Sequence, residues 1–257
     1  MLLIVSCLIL SASFALAANL ASDDASNYGG GWNDGSNGGS GFGAWSFVNT
    51  APGGQFTATS LQNGNGVDGP TIDVGGVSWG MWANSGGLSS AQRALTGGSL
   101  SVGQQFKMSM DIGYIENGSS VGFGFRNSNG DDLFQFYYVG FGGWNINEFG
   151  GPQQVSSAYT NGGFQTAFTL TGSTTFTFQV VGLGGLNTTS TYTGSLLSPA
   201  AGQGITEVRL FNNNSAQGNS GAPWDQFFNS MAVIPEPTSM ALLGMAFAGL
   251  LIWRIRR

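Results

Sequence analysis

Residues 106–139 read FKMSMDIGYIENGSSVGFGFRNSNGDDLFQFYYV, and this stretch decides the fold. Every second residue of 106–112 is apolar, and 121–126 repeats the alternation. Because successive side chains of a strand point to opposite faces, this period predicts strands with one buried and one solvated face. The Asn-Gly pair after the second run predicts a tight turn that returns the chain as a third strand over 133–139. The stretch therefore predicts antiparallel β-structure.

Similar short runs, separated by Gly, Asn, Asp and Ser, continue in both directions along the chain. We predict further strands over residues 45–48, 55–60, 77–83, 104–112, 144–149, 164–170, 175–181, 189–193, 206–211 and 226–233. Without helices to cover a parallel sheet, about a dozen strands predict an all-β domain over 18–233, a two-sheet antiparallel β-sandwich. The order of elements in 104–139 also resembles the middle of concanavalin-like and laminin-G-like jelly rolls, which implies a jelly-roll-like sandwich. A β-helix is the alternative, but no fixed-length repeat runs through the domain.

The composition excludes several kinds of function. The 257 residues include 13 Asp or Glu, 7 Lys or Arg, one Cys and no His, which gives a formal net charge of −6. Without histidine, neither a Ser-His-Asp nor a Cys-His site can form, and zinc lacks its usual nitrogen and sulfur ligands. The basic residues between 19 and 230 are Arg93, Lys107, Arg126 and Arg209, against 12 carboxylates. We therefore expect no nucleic-acid partner.

The N-terminal end has the pattern of an export signal. Residues 1–16 read MLLIVSCLILSASFAL, and Ala15 and Ala17 form the small-x-small pattern at which signal peptidase cuts. We predict a signal peptide over 1–17, cleaved after Ala17. The only cysteine, Cys7, lies within it, so the mature domain has neither a disulfide nor a cysteine nucleophile.

The C-terminal end has the pattern of a membrane stop. Residues 238–253 read TSMALLGMAFAGLLIW, without a charge, and Arg254, Arg256 and Arg257 follow. Sixteen residues at a helical rise of ~1.5 Å span ~24 Å, and arginines at the helix end can reach the interface. Because the run is apolar on all sides, it does not fit an amphipathic helix packed on the domain. We predict a transmembrane helix over 238–253 with its Arg-rich end in the cytoplasm.

The tripeptide Pro235-Glu236-Pro237 precedes this segment, and residues 234–257 resemble the PEP-CTERM sorting signal of Gram-negative bacteria. The resemblance implies an exosortase, a membrane protease, as partner. It implies export through the inner membrane, transient anchoring by the helix, and a final place at the cell surface or in the extracellular matrix. It also links the chain to producers of exopolysaccharide, so polysaccharide is the expected ligand. The alternative is a Pro-rich linker in a permanent membrane protein.

The most unusual segment of the domain is residues 28–45, YGGGWNDGSNGGSGFGAW, which has eight glycines in eighteen positions. It resembles an N-terminal stretch of many secreted PEP-CTERM proteins. One interpretation is a compact loop pinned by its large aromatic side chains. The other is a ligand site in which Trp32 or Trp45 stacks on a sugar ring while polar neighbours bind its hydroxyls. The polar candidates of that site are Asn33, Asp34 and Asn37.

Carboxylates offer the remaining route to a hydrolase, because glycosidases use two acids and need no histidine. The candidates are Asp111, Glu116, Asp131, Asp132 and Glu148. They lack the compact Glu-x-Asp-x-Glu motif of jelly-roll glucanases, so we expect a non-enzyme and keep a glycan-active hydrolase as the alternative. No cofactor or metal is expected. Calcium bound by oxygen ligands is the alternative there, either at the polar residues of 28–45 or at 127–132. The sequence thus predicts an exported structural or adhesive protein that binds carbohydrate.

Overall fold

A computed structural model describes residues 20–60, 72–84, 86–155, 162–183, 189–197, 204–214 and 226–235. The predicted signal peptide over 1–17 and the predicted helix over 238–253 lie outside the described residues. Within the described part of the chain, the one helix is a 3₁₀ turn over Ala25–Asn27, and no helix has the length and apolar character needed to cross a membrane.

The described residues form fifteen strands. They are β1 Ala21–Asp23, β2 Ser46–Thr50, β3 Gly53–Ala58, β4 Ser78–Ala83, β5 Leu88–Ala94, β6 Gln105–Ile112, β7 Ser120–Arg126, β8 Asp132–Val139, β9 Gly143–Glu148, β10 Gly151–Val155, β11 Phe164–Leu170, β12 Thr175–Gly182, β13 Thr189–Ser195, β14 Glu207–Asn213 and β15 Gln226–Ile234.

The strands form two antiparallel sheets that pack face to face. One sheet has the order β13-β12-β11-β6-β15-β4-β3, with β1 added beside the end of β15. The other has the order β10-β9-β8-β7-β14-β5-β2. The prediction of an all-β antiparallel sandwich is confirmed. The fold-deciding stretch spans both layers, because β6 lies in the first sheet whereas β7 and β8 are neighbours in the second.

Phenylalanine rings from both sheets form the centre of the core. Phe125 of β7 lies 4.7 Å from Phe168 of β11, and Phe136 of β8 lies 4.8 Å from Phe178 of β12, measured between ring centroids. All four rings are at most 1% exposed. Full burial of such a side chain contributes about 1.5–3 kcal/mol, so this interdigitated layer is a main source of stability. It also fixes which side chains of β7 and β8 point outward.

The predicted hairpin between β7 and β8 is present. The Asn127 side chain closes its turn, since Asn127 Oδ1 accepts hydrogen bonds from the backbone N–H groups of Asn129 and Asp131, both at 2.9 Å. Gly130 adopts a φ of 84°. An Asn or Asp that binds the backbone two residues on is a common turn device, which explains the polar composition of this segment.

The described ends of the chain are neighbours in the first sheet. The strand β1 pairs antiparallel with β15, with Ala21 opposite Val233, and Leu20 N–H donates to the Val233 carbonyl at 2.8 Å. On its other side β15 pairs with β6, where Ile234 lies opposite Gln105. The last strand is therefore held on both sides up to Val233, and on the β6 side up to Ile234, the residue before Pro235.

Candidate functional site

The glycine-rich segment is part of the core. Trp32 and Trp45 are only 2% and 1% exposed, and their rings lie edge to face at 5.1 Å with Trp79 of β4 beside both. Gly39 and Gly41 have φ of 71° and 73°. A Cβ at these glycines would lie 2.2 and 2.3 Å from carbonyl oxygens of β1 and the residue before it, so the segment can fold closely over β1 only with glycine there.

A buried ion pair holds this segment in place. Arg93 of β5 binds Asp23 of β1, and both side chains are fully buried. The same Asp23 carboxylate accepts a hydrogen bond from the Tyr28 hydroxyl, and Trp45 Nε1–H donates to that hydroxyl at 3.0 Å. The Arg93 guanidinium also lies 4.9 Å from the Phe42 ring centroid. The cost of desolvating these charges is offset by several charge-assisted hydrogen bonds, so the network stabilises the position of the segment. We refer to this network of Asp23, Tyr28, Trp45 and Arg93 as the lock.

This arrangement corrects the stacking role predicted for the two tryptophans, because rings buried between protein groups have no face open to a sugar. Asn33, Asp34 and Asn37 are exposed at the surface of the segment. Asp34 Oδ1 accepts from the Phe47 N–H at 2.8 Å, and Asn37 Oδ1 accepts from Arg93 at 3.1 Å. These oxygens therefore serve the local structure, and the contribution of the three residues to ligand binding stays a prediction.

The carboxylates considered for a hydrolase do not come together. Glu116 precedes β7 whereas Asp131 and Asp132 follow it, so a seven-residue strand of roughly 20 Å separates them. Asp111 is buried within β6. Glu148 accepts a hydrogen bond from the Ser195 N–H at 2.8 Å, across to the neighbouring sheet edge. Asp131 and Asp132 are adjacent in the turn into β8, whereas Asp111 lies in β6, Glu116 before β7 and Glu148 in β9, so the five carboxylates are spread over separate parts of the fold.

The oxygen-rich turn over 127–132 is internally bonded. Asn127 is 2% exposed and its amide also donates to Asp131 Oδ2 at 2.9 Å. Asp132 forms an ion pair with Arg126 at 2.8 Å. Among the residues that the structure describes, no group of three or more acidic, histidine or cysteine side chains could hold a metal ion. A calcium site stays an untested alternative.

The solvent-side face of the second sheet carries an ordered set of polar side chains, and we refer to it as the outer face. Because the phenylalanines of β7 and β8 point into the core, the alternate residues point outward. The strand register aligns these residues in two rows across five neighbouring strands. One row is Gln92, Arg209, Gly124, Gln135 and Asn147, and the other is Ser90, Phe211, Gly122, Tyr137 and Asn145.

A chain of hydrogen bonds runs across the outer face. Asn147 Nδ2 donates to Gln135 Oε1 at 3.0 Å, and Gln135 Nε2 donates to Asp132 Oδ2 at 3.1 Å. Asp132 Oδ1 accepts from Arg126 Nε at 2.8 Å, and Arg126 Nη1 donates to Gln92 Oε1 at 3.2 Å. Gln135 uses both polar atoms of its amide here, whereas Asn147 and Gln92, at the two ends of the chain of hydrogen bonds, each use one. Within the described residues, the Asn147 amide oxygen and the Gln92 amide nitrogen have no side-chain hydrogen bond.

The middle of the outer face is recessed at β7. A Cβ on Gly122 would lie 2.3 Å from the Phe136 carbonyl oxygen, and a Cβ on Gly124 would lie 2.5 Å from the Phe134 carbonyl oxygen. The missing side chains leave room for Tyr137, whose ring lies 6.5 Å from that of Phe211 across the strand. The glycines thus shape a shallow surface bordered by aromatic and amide groups.

Partial burial changes the acid–base properties of the outer face. Burial raises the pKa of Glu207 above its usual value of 4.5, despite the opposing effect of Arg126. Burial also raises the pKa of Tyr137 and lowers that of Arg209, the latter with a further contribution from Arg126. Perturbed groups that share one recessed surface are typical of functional sites, although ion-pair networks produce them too.

Sequence reasoning missed this surface. Its residues lie on five separate strands, and each alternates with a core residue in a pattern that is typical of any solvated strand face. The available signal was the pair of glycines within 121–126, which marks close approach of backbone or side chains in a strand interior.

The C-terminal end was tested by comparison with known families. Pro235 is half-buried directly after β15, and Glu236, Pro237, Arg254, Arg256 and Arg257 lie outside the described residues. The family model for the PEP-CTERM protein-sorting motif matches residues 233–257. This end is a PEP-CTERM sorting motif. The motif indicates export, sorting to the cell surface or extracellular space, and processing by an exosortase. Neither the signal-peptide residues Ala15 and Ala17 nor the transient anchor is covered by the described structure.

No curated protein matches the chain. Among solved structures, a sialidase aligns with a TM-score of 0.51 at 6% identity, covering 76% of this chain and 17% of the sialidase. This likeness concerns the fold alone, and the chain spans about a sixth of the length of the sialidase. A family 11 carbohydrate-binding module from Clostridium thermocellum aligns at 0.32 with 10% identity over 85% of this chain and 98% of its own. A galectin from Caenorhabditis elegans aligns at 0.33 with 12% identity over 53% and 85%.

Proposed function

We propose that the chain is a non-catalytic protein of the cell surface or extracellular matrix whose outer face binds an uncharged polysaccharide. The observation that carries this proposal is the hydrogen-bonded row of amide and charged side chains that runs from Asn147 of β9 to Gln92 of β5. By holding polymer strands, the protein would serve a structural or adhesive role.

The chemistry of the outer face fits sugar hydroxyls. A hydroxyl both donates and accepts hydrogen bonds, and a primary amide offers both functions on one planar group. Because Asn147 and Gln92 each keep one polar atom without a side-chain partner among the described residues, the two ends of the row offer an acceptor and a donor to a ligand. The Tyr137 ring between them provides an apolar surface for the C–H face of a pyranose.

The charges of the outer face favour a neutral ligand. Arg126 pairs with Asp132 at 2.8 Å, and Arg209 Nη1 lies 3.9 Å from the same carboxylate. Glu207 lies opposite Arg126 in the strand register. Since two cations and two carboxylates balance, an acidic polymer gains little net attraction there.

The sorting motif supports the extracellular location of this ligand. In this proposal the segment over 238–253 anchors the exported chain transiently, and the exosortase then releases it from the inner membrane. The domain over 18–233 would remain outside, where polysaccharide is the abundant polymer.

Affinity electrophoresis tests the proposal. The full chain in a mild non-ionic detergent is run in native gels that contain hydroxyethyl cellulose, mixed-linkage β-glucan, xylan, dextran or alginate. We expect retardation by at least one uncharged polymer and about tenfold weaker retardation for Gln135→Ala, which interrupts the row. The matched control is Gln153→Ala, a glutamine on edge strand β10 outside the two rows.

Two results would overturn the proposal. One is migration that no uncharged polymer changes, and the other is equal retardation of the wild type and the Gln135→Ala variant. Release of reducing sugar from the retained polymer would replace the non-catalytic assignment by the hydrolase alternative.

A further inference from the structure

A second surface with ligand-binding chemistry lies at one end of the sandwich, where the loop after β6 meets the turn between β8 and β9. We call it the aromatic cleft. It holds about 230 Å³ of space that is partly open to solvent, less than the roughly 300–1,000 Å³ of enclosed small-molecule sites, so it is a shallow contact surface. Its lining residues are Ile112, Gly113, Tyr114, Ile115, Tyr138, Phe141 and Trp144.

Two rings of the aromatic cleft are exposed although both are large and apolar. Phe141 is 71% exposed and Tyr114 is 46% exposed. Their centroids lie 6.0 Å apart with the rings at 82° to each other, so they form an open corner. The floor is the well-packed Trp144, which stacks on Phe136 at 4.7 Å. Exposed rings on a rigid floor are typical of a recognition surface.

The backbone holds Phe141 in this exposed position at an energetic cost. Its φ is 62°, in the left-handed region that a bulky residue rarely adopts. Hydrogen bonds on either side fix the turn, from Gly140 N–H to the Ser119 carbonyl at 3.0 Å and from Gly142 N–H to the Val139 carbonyl at 2.8 Å. Such strain persists when the surrounding structure over-determines it, and it concentrates at functional sites.

The aromatic cleft and the last residue of β15 lie at opposite ends of the sandwich. In the β6–β15 ladder, Gln226 pairs with Ile112 at the cleft, whereas Ile234, the last residue of β15, pairs with Gln105. Seven residues of strand separate the two ends, roughly 23 Å at the usual rise. A ligand in the cleft therefore meets a surface remote from the point where the C-terminal tail leaves the domain.

We propose that the aromatic cleft stacks on an uncharged sugar ring and forms a second contact for the polysaccharide that binds the outer face. The ligand class rests on the proposed function, whereas the position of the contact rests on the cleft itself. Among the described residues, those that line the cleft carry no charge, which favours a neutral ring over an acidic or basic group.

The path between the two surfaces is short. Tyr137 lies on the outer face and Tyr138, the next residue of β8, lines the aromatic cleft. Because consecutive residues of a strand point to opposite faces, a polymer contacts both surfaces by passing around the end of β8, and two linked contacts then raise the apparent affinity above that of either alone.

The test compares cleft variants with a matched exposed aromatic. Phe141→Gly removes the ring and suits the positive φ, and Tyr114→Ala removes the other ring. Phe149→Ala is the control, because Phe149 is 64% exposed but does not line the cleft. In affinity gels with the uncharged polymer that retards the full chain, we expect about tenfold weaker retardation for each cleft variant and no change for the control. Circular dichroism checks that all three variants remain folded.

The outcomes separate the two proposals. If Gln135→Ala weakens retardation while both cleft variants migrate as the wild type does, the cleft inference is overturned and the proposed function stands. If no uncharged polymer retards the wild type, the proposed function fails and the ligand assigned to the cleft fails with it. Loss of a co-purifying protein from the cleft variants, with unchanged retardation by polymer, would assign the cleft to a protein partner instead.

Discussion

Two nearly identical pentapeptides have opposite surroundings in this molecule. Residues 41–45 read GFGAW and residues 140–144 read GFGGW. Phe42 is 4% exposed in the first and Phe141 is 71% exposed in the second, although both tryptophans are buried. The first pentapeptide is covered by β1 and by Arg93 of β5, whereas the second forms a hairpin turn at the end of the sandwich. The comparison teaches that a local pattern of aromatics and glycines does not state whether a ring is core or contact surface.

The backbone shows the same difference. Positive φ falls on Gly41 alone in the first pentapeptide, at 73°, and on Phe141 and Gly143 in the second, at 62° and 83°. Glycine adopts this conformation without strain, whereas a phenylalanine costs roughly 1–2 kcal/mol there. The first segment is therefore built for packing, and the second retains a strained ring at its tip.

We expect the largest change in stability when the lock that covers residues 41–45 is broken. Arg93→Met leaves the Asp23 carboxylate buried without its cation, so we expect a loss of about 3–5 kcal/mol in the free energy of unfolding. Urea unfolding of the full chain in detergent, followed by tryptophan fluorescence, measures it. The double variant Asp23→Leu with Arg93→Met should recover most of the loss. Arg126→Met, in a half-exposed pair, should cost about 1 kcal/mol or less. Equal losses for Arg93→Met and Arg126→Met would contradict a lock.

A smaller effect concerns the Tyr28 hydroxyl within the same lock. Burial and then the hydrogen bond to Asp23 raise the pKa of Tyr28 above 10.0. The folded state therefore keeps this proton at a pH where the unfolded chain has lost it, so stability falls as pH rises above 10. Tyr28→Phe should lower the free energy of unfolding by about 1–2 kcal/mol at pH 7, because it leaves the buried partners of the hydroxyl without their hydrogen bonds.

The same variant should show a weaker decline of stability between pH 10 and the pKa of folded Tyr28. Urea unfolding at several alkaline pH values checks this sign. An unchanged alkaline slope in the Tyr28→Phe variant would show that another group carries the dependence.

We expect the smallest change in stability at Phe141, the strained residue of the second pentapeptide. Phe141→Gly relieves the left-handed strain, and after the entropy cost of glycine we expect a gain of about 0.5–1 kcal/mol. Phe149→Gly is the matched control, because Phe149 is also exposed but does not have a positive φ. The free energy of unfolding of the Phe149→Gly variant should fall by about 0.5–1 kcal/mol. The midpoints of urea unfolding measure both changes. A lower midpoint in both variants would mean that the Phe141 side chain stabilises the fold.

Much of the fold was predictable because most strands have one core face and one solvated face. The twelve predicted strands are present within a few residues of their expected bounds. The three missed strands lack the pattern for identifiable reasons. In β5 the inward positions include Ser89 and Arg93, whose polar groups are paired inside the protein. The edge strand β10 contains Pro152, and β1 has only three residues.

The candidate sites were less predictable. Trp32 and Trp45 had the composition of a stacking platform, yet an adjacent sheet and a buried ion pair cover them. The outer face joins Gln92 to Asn147, residues more than fifty positions apart in the chain, through strand order. Strand order depends on long-range pairing, which no local pattern encodes.

The sequence by itself determined the class of the fold, the hairpin over β7 and β8, and the sorting motif. These features depend on side-chain alternation, turn residues and a linear signal, all of which are local. Tertiary structure alone decided that GFGAW is buried and that GFGGW is exposed. The physical reason is that burial depends on what another part of the chain places over a ring, and only the packed sheets supply that cover.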